Sequence, residues 1–499
     1  AVAPQRQAKA TSQGGNRQRL EKGPAYGEAG NPQSAIRNPQ SDGWPTHRGN
    51  SARSGTAKCA VPAKLSRRWT ADIGGEITQP VIAGDKLLVA RVDTNTVHAL
   101  DAASGKRLWS YLAGGRVDSS PTVHEGLVLF GCADGWVYCL RLADGKLAWR
   151  FRAAPEDLKT VAMDQVESVW PVHGNVLVHK AVAYFAAGRC SWLDDGIALY
   201  GLDPATGKVV HQSRLVGRHP RAGEGKDAAA EQHATKFAQN ATDYKTFKAP
   251  DRSDAFSMAE GATTDVMVSD GESVFMRHLR FDAGLARQDR MDLHLFSTSG
   301  LLDGEENHRS HWVLGTGDFS RMPVAYSWIT YRPNNFGSRL AVPHGLILTF
   351  DDKTVWGVRR AHLMRSGPKQ SEPYTLFAED RPKPSAGEKH LPDFRKSPKS
   401  GGKDVPGFRW TAPLAMRPRA MIKAGEVLFL GGTGGIDPDD PYAAHEGRSG
   451  GLLWAMSASD GGKAAEHKLD SPPIWDGLAA AGGRLYLSTI DGKVLCMGR

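Results

Sequence analysis

Val97-His98-Ala99-Leu100-Asp101-Ala102-Ala103-Ser104-Gly105-Lys106-Arg107-Leu108-Trp109 is followed, 40 residues later, by Val137-Tyr138-Cys139-Leu140-Arg141-Leu142-Ala143-Asp144-Gly145-Lys146-Leu147-Ala148-Trp149. Each copy sets a short apolar run before a Ser-Gly or Asp-Gly turn and closes on tryptophan. Trp69 lies 40 residues before Trp109 and starts the same series. A period of this length, built from strand-like runs and turn residues, predicts blades of a β-propeller rather than a helical repeat.

Outward from this pair, the third strand of a blade has the signature large, small, aliphatic. It recurs at His98-Ala99-Leu100, Tyr138-Cys139-Leu140, Tyr200-Gly201-Leu202, Trp356-Gly357-Val358, Trp454-Ala455-Met456 and Leu495-Cys496-Met497, with a poor copy at 292–297. Sheets stacked face to face around an axis need small side chains at some positions, while alternate residues face the other way. Cys139 and Cys496 hold that small position and are expected to be packing residues rather than redox or metal groups. Outer-strand anchors follow at 69, 109, 149, 211, 312, 410 and 465. Both series count seven four-stranded blades; eight also fits the degenerate middle. The last unit, 494–497, lacks an outer strand, and Trp69 has no blade before it. Their pairing is expected to close the ring and remove a free sheet edge. First hairpins are expected at 83–85, 124–126, 173–175, 269–271, 343–345, 424–425 and 481–483, where glycine supplies a positive φ.

The chain of 499 residues is 40% hydrophobic and 23% charged, with 56 glycines and 29 prolines, as a turn-rich globular β protein would be. Its net charge of +9 is not gathered into a basic, aromatic-interleaved patch, so nucleic acid is not an expected partner. No apolar run of transmembrane length occurs. Five cysteines with no CxxC spacing argue against a disulfide framework. Residues 1–41, poor in large apolar side chains, are expected to be a disordered basic leader, with the propeller over 42–499. Trp44–Gly55 is expected to pack across the domain rather than form a regular strand. Polar insertions are expected at 217–262 and 365–407.

The Leu-Asp-Ala-Ala-Ser-Gly-Lys-x-x-Trp and Leu-Ala-Asp-Gly-Lys-x-x-Trp units resemble the tryptophan-docking repeats of PQQ-like (quinoprotein alcohol dehydrogenase-like) β-propellers. With Glu167-Ser-Val-Trp-Pro-Val-His173-Gly, the chain looks most like the bacterial PQQ-repeat proteins and, more distantly, the outer-membrane assembly propeller lipoproteins. The resemblance implies an all-β propeller, an exported, periplasmic or extracellular location, and one of two kinds of function. Dehydrogenases of the family stack the quinone between a tryptophan and a disulfide of adjacent cysteines, and hold Ca²⁺ with Glu, Asn and Asp. No two cysteines are adjacent here, so half of that sandwich is missing and PQQ is not an expected cofactor. Fold likeness alone does not assign activity.

Glu305, His308 and His311 gather carboxylate and imidazole groups that a borderline divalent metal accepts, although polar lining would use the same residues. Trp170, Arg189, Trp192, Arg277, His278, Arg309 and Trp328 fall beside blade loops and are candidate mouth residues for a protein, peptide or glycan. Asp194-Asp195-Gly196 and Asp437-Pro438-Asp439-Asp440 read as turns rather than Ca²⁺ loops. Gly431–Gly435 precedes a helix-breaking Asp/Pro run and is not a phosphate cradle. The expected function is an exported, non-enzymatic binding or scaffold propeller for a protein or envelope polymer. The rivals are a PQQ-dependent oxidoreductase and a metal-dependent carbohydrate-active enzyme.

Overall fold

The computed structural model describes residues 19–28, 42–191, 193–216, 263–277, 279–288, 292–297, 312–315, 343–360, 374–382, 408–435, 439–440, 442–444 and 446–499. Among them there are strands and no helix. The 217–262 insertion lies outside them.

Eight sheets succeed one another around an axis. Blade 1 comprises Val81–Ala83, Lys86–Arg91, Thr96–Asp101 and Arg107–Leu112. Blade 2 comprises Thr122–His124, Leu127–Gly131, Trp136–Arg141 and Leu147–Arg152. Blade 3 comprises Leu177–His179, Val182–Ala187, Ile197–Leu202 and Val209–Leu215, and blade 4 Met267–Ser269, Val274–Met276, Leu279–Phe281 and Arg287–Gln288. Blade 5 has three described strands, His294–Ser297, Trp312–Gly315 and His344–Gly345. Blade 6 comprises Ile347–Phe350, Thr354–Arg360, Tyr374–Asp380 and Phe408–Leu414, and blade 7 Arg417–Ala424, Val427–Thr433, Gly451–Ser457 and Lys463–Leu469. Blade 8 comprises Pro473–Ala481, Arg484–Thr489 and Lys493–Gly498, completed by Ser66–Asp72. Trp69 pairs with Cys496, so the ring closes as expected. The first strand of blade 8 lies against that of blade 1.

The ring thus has eight blades, the alternative that the degenerate middle left open, and the count of seven misses one there. Trp312 is not an outer anchor: it lies in the second strand of blade 5, opposite Ser297 and Gly345. Trp356-Gly357-Val358 is the second strand of blade 6. The third strand of that blade is Tyr374–Asp380, a largely buried run inside what reads as the 365–407 polar insertion. Residues 292–297 enter the first strand of blade 5 rather than a third strand. The expected first hairpins at 173–175 and 343–345 are also displaced. His173–Asn175 precedes blade 3, whose first turn is Lys180-Ala181, and His344–Gly345 is a strand.

One packing unit explains the 40-residue period. In each of six blades the small third-strand residue faces the outer anchor, and the register slips immediately beyond that pair. The pairs are Ala99–Trp109, Cys139–Trp149, Gly201–His211, Ala378–Trp410, Ala455–Ala465 and Cys496–Trp69. The indole then reaches the next blade. Trp69 Nε1–H donates to Ala102 O (3.3 Å), Trp109 to Leu142 O (3.0 Å) and Trp149 to Pro204 O (2.9 Å). The ring face lies on the turn glycine there. A Cβ on Gly105 would sit 2.5 Å from Trp69, and one on Gly145 2.5 Å from Trp109. These glycines also need φ near +73° and +72°, so two independent constraints exclude any side chain.

Residues 19–28 correct the reading of the leader. Leu20–Lys22 pairs with the outer strand of blade 2 as a fifth strand. Arg19 donates to Tyr200 Oη (2.7 Å), and its guanidinium lies 5.0 Å from the Phe151 ring centre.

Residues 44–57 run through the axis. Trp44 exchanges both backbone hydrogen bonds with Ile82 of blade 1, and the Val123 amide of blade 2 donates to Pro45 O (2.7 Å). The amides of Ser269, Phe350 and Lys423, on the first strands of blades 4, 6 and 7, donate to Ser51 O, Ser54 O and Gly55 O, each at 2.9 Å. Thr56–Ala57 adds a parallel pairing to Lys423 and Ala424. Arg48 reaches Asp476 of blade 8 (2.6 Å) and Leu348 O of blade 6, and its guanidinium lies 5.0 Å from the Trp312 ring centre of blade 5. Arg53, fully buried, donates to Met267 O of blade 4 (3.1 Å), Thr46 Oγ1 (2.6 Å) and His47 O (3.0 Å). The expectation that Trp44–Gly55 packs across the domain is met, and the segment acts as an axle.

Two outcomes are expected. Trp149→Ala should cost about 3–5 kcal/mol in urea unfolding, as loss of a buried aromatic does, whereas Val210→Ala on the exposed edge should stay within about 0.5 kcal/mol. His47 is buried between Arg53 and Arg48, and burial first, then those cations, hold its imidazole well below the ordinary value. Its contribution to stability is therefore complete above about pH 6.5 and falls away as pH drops from there toward the lowered folded value. His47→Gln should flatten that part of the stability–pH curve, measured by urea midpoints between pH 7.5 and 5.

Candidate functional site

Strands run alternately up and down in each blade. The links from an outer strand to the next blade, and the turns between second and third strands, therefore share one face of the ring. On that face, three loops of blades 1–3 meet. Residues 113–121 carry Arg116 and Asp118, residues 153–176 carry Glu167, Trp170 and His173, and residues 188–196 carry Arg189 and Asp194.

Their side chains form a buried ionic cluster. Arg116 Nη2 is 3.0 Å from Glu167 Oε2, and Arg116 Nε bonds Asp118 Oδ1. Arg189 bonds the other oxygen of Glu167 and donates to Val169 O (3.1 Å). His173 Nδ1 is 2.5 Å from Asp118 Oδ2, and its Nε2 is 4.0 Å from Glu167 Oε1. The Glu167 side chain is 1% exposed, Asp118 3%, Arg116 6% and His173 6%, while Arg189 is 30% exposed. Burial opposes ionisation of Asp118, but the hydrogen bonds and charges of His173 and Arg116 outweigh it and hold the carboxyl below the ordinary range. An ionised Asp118 makes His173 Nδ1 the donor and points Nε2 away from that carboxylate. That nitrogen is sealed inside, without a partner among the described residues. An aspartate–histidine pair can serve a general base, but this one opens on protein. Its evident work is to fix the loops.

Trp170 completes the lock: its indole donates to Asp194 O (2.6 Å), tying the 153–176 link to the turn of blade 3. In that turn Asp194, Asp195 and Gly196 all have positive φ, at 51°, 60° and 90°, which is turn geometry. Of the expected mouth residues, Trp170 and Arg189 therefore come together, Trp170 buried and Arg189 partly exposed. Arg277 occupies the equivalent turn of blade 4, 3.0 Å from Asp265 and 2.6 Å from Thr263 Oγ1. Thr264 in turn donates to Arg189 O (2.9 Å), so Arg277 borders the cluster. Trp192, His278, Arg309, Trp328 and the metal candidates Glu305, His308 and His311 lie outside the described residues. Arg116, Asp118, Glu167 and His173 were not singled out as site residues. The available signal was a glutamate and a histidine in the link 167–173, which does not follow the repeat.

The same link raises a hairpin from the face. Lys159–Ala162 pairs with Gln165–Ser168 across a Met163-Asp164 turn with both residues at positive φ. Val161 faces Val166 across the strands. Leu158 is 49% exposed, Val161 74%, Met163 59% and Val166 66%. Alternation sends Val166 outward and Glu167 into the ionic cluster, so one residue step couples the exposed apolar surface to its buried anchor.

A quinone-and-Ca²⁺ set does not fit these residues. The five cysteines are free thiols and none is adjacent to another. Among the described residues no three His, Cys, Asp or Glu converge as metal ligands. The axle residues occupy the axis.

Glu167→Ala should leave Arg189 without its carboxylate and Arg116 with Asp118 alone, and cost about 3–5 kcal/mol, as breaking a buried pair does. Urea unfolding checks the cost, and faster amide exchange across 158–176 should accompany it.

Comparison with known proteins agrees with this architecture. A family profile described as "Outer membrane protein assembly factor BamB" matches residues 54–287. The BamB of Xanthomonas campestris pv. campestris is 32% identical over 109 residues, 19% of this chain and 27% of that protein. A 1-butanol dehydrogenase (quinone) of Thauera butanivorans is 26% identical over 186 residues, 33% of this chain and 28% of that protein. The chain thus spans little more than a quarter of the length of these curated relatives. Among solved structures, the quinohemoprotein alcohol dehydrogenase of Comamonas testosteroni is 12% identical with a TM-score of 0.47, over 94% of this chain and 82% of that one. BamB of Moraxella catarrhalis is 11% identical with a TM-score of 0.45, over 88% and 98%. With these repeats and this ring, the chain resembles the PQQ-like β-propeller proteins, BamB among them.

Proposed function

We propose that the protein is a non-enzymatic scaffold that binds a protein partner in the cell envelope through its 158–168 hairpin. One observation carries this reading: four apolar side chains stand in water on a hairpin whose base is fixed by buried ion pairs. Monomeric surfaces scatter such residues, and a cluster on a rigid support suits an interface. Similarity to outer-membrane assembly factors supports a protein partner and an exported location. An envelope polymer is the alternative ligand of the same face.

The oxidoreductase reading is favoured by the similarity to butanol dehydrogenases, and opposed by the free cysteines and the occupied axis. The carbohydrate-active reading rests on Glu305, His308 and His311 and gains nothing from the described residues.

A photo-reactive amino acid placed at Val161 or Val166 should give a discrete protein adduct in envelope membranes. Val161→Lys with Val166→Lys should weaken the isolated partner by about tenfold or more with an unchanged urea midpoint. Adducts at control surface positions but none at the hairpin would refute the site. Reduction of a redox dye after addition of PQQ and Ca²⁺ would refute the non-enzymatic assignment.

A further inference from the structure

The first strand of every blade turns one edge toward the axis, where its amides and carbonyls have no partner in their own sheet. In five blades of this ring an amide of that edge donates to a carbonyl of a single short segment. Ile82, Val123, Ser269, Phe350 and Lys423 donate to the carbonyls of Trp44, Pro45, Ser51, Ser54 and Gly55. Recognition is thus largely main-chain to main-chain, the mode by which a sheet edge captures an extended peptide. Two arginines supply what the backbone does not. Arg48 forks between Asp476 and Leu348 O, and its Nε holds Arg53 O at 2.9 Å. Arg53 reaches Met267 O on the opposite side. Both have φ in the left-handed region, at 54° and 57°, so the segment enters as a compact, preset turn. Gly55 sits where a Cβ would lie 2.8 Å from Thr349 Oγ1, and Thr349 in turn donates to Met421 O.

We propose that the axial channel is a peptide-binding site and that residues 44–57 are its intramolecular ligand, separable from the ring that surrounds them. The class of ligand is an extended-to-turned peptide with an aromatic residue followed by two arginines five positions apart. Linkage within one chain keeps the site filled by effective concentration rather than by covalent need. This role is independent of the hairpin.

The full chain tests it once it carries two protease recognition sequences, one between Glu28 and Asp42 and one between Ala63 and Lys64. Cutting both frees the axle from the strand at Leu20–Lys22 and from the ring. The axle fragment should then stay bound through gel filtration, and a fluorescent synthetic peptide of residues 42–60 should exchange into the cut protein. The same peptide with Arg48→Met and Arg53→Met should compete at least about 100-fold less well, the loss expected for two buried charge-assisted contacts. Three results would overturn the proposal: failure of the labelled peptide to enter, equal competition by the arginine-free peptide, or loss of the ring's cooperative thermal transition on cutting while the fragment is still bound. The last would make the segment an inseparable part of the core.

Discussion

Buried main-chain groups need partners, and at the centre of a ring of sheets there is no further strand to supply them. Leaving an amide unpaired costs about as much as losing a hydrogen bond outright. Residues 44–57 resolve that deficit for several blades at once. The solution brings its own cost, because two guanidiniums enter the interior. Asp476 neutralises Arg48. Arg53 has no acidic partner among the described residues, and burial, reinforced by Arg48, pushes its guanidinium down to about 9. The axle therefore trades unsatisfied backbone for strained electrostatics, and His47 stays uncharged beside it.

The outer part of the molecule follows a different logic. There the coupling between blades is local and repeated: a tryptophan of one blade lies on a turn glycine of the next and donates to a carbonyl beside it. Blades 8, 1 and 2 show the full arrangement, and Trp410 repeats the stacking on Gly461 of blade 7. Among the described residues, blades 4 and 5 show no such contact. Their neighbours are held instead by ring stacking, as where His294 lies 4.0 Å from Phe275. Regular and irregular blades can share one ring because each needs to match only its two neighbours.

This division decides what could be read from the sequence. The all-β class, the closure of Trp69 on Cys496 and the packing role of Cys139 and Cys496 were legible, because each depends on fixed short spacings. The eighth blade was not. Tyr374–Asp380 is hidden between polar stretches, and Trp312 mimics an anchor while occupying a second strand. Leu20–Lys22 is a partly exposed edge strand, whose polarity is that of a tail. The ionic cluster was only half legible. Trp170 and Arg189 stood out as non-repeat residues, but Arg116 and Glu167 are 51 positions apart. No spacing rule links charges that meet only after two blades have folded.

The axle also has an order in time. Its partners include Asp476, 428 positions further on, so its contacts are among the most distant along the chain. Residues 44–57 precede every complete blade in the chain, so blades can form around a segment already in place. Each new blade then finds its innermost hydrogen-bond acceptors waiting, and the loop-closure entropy of the last contact is spread over the successive arrival of the earlier ones.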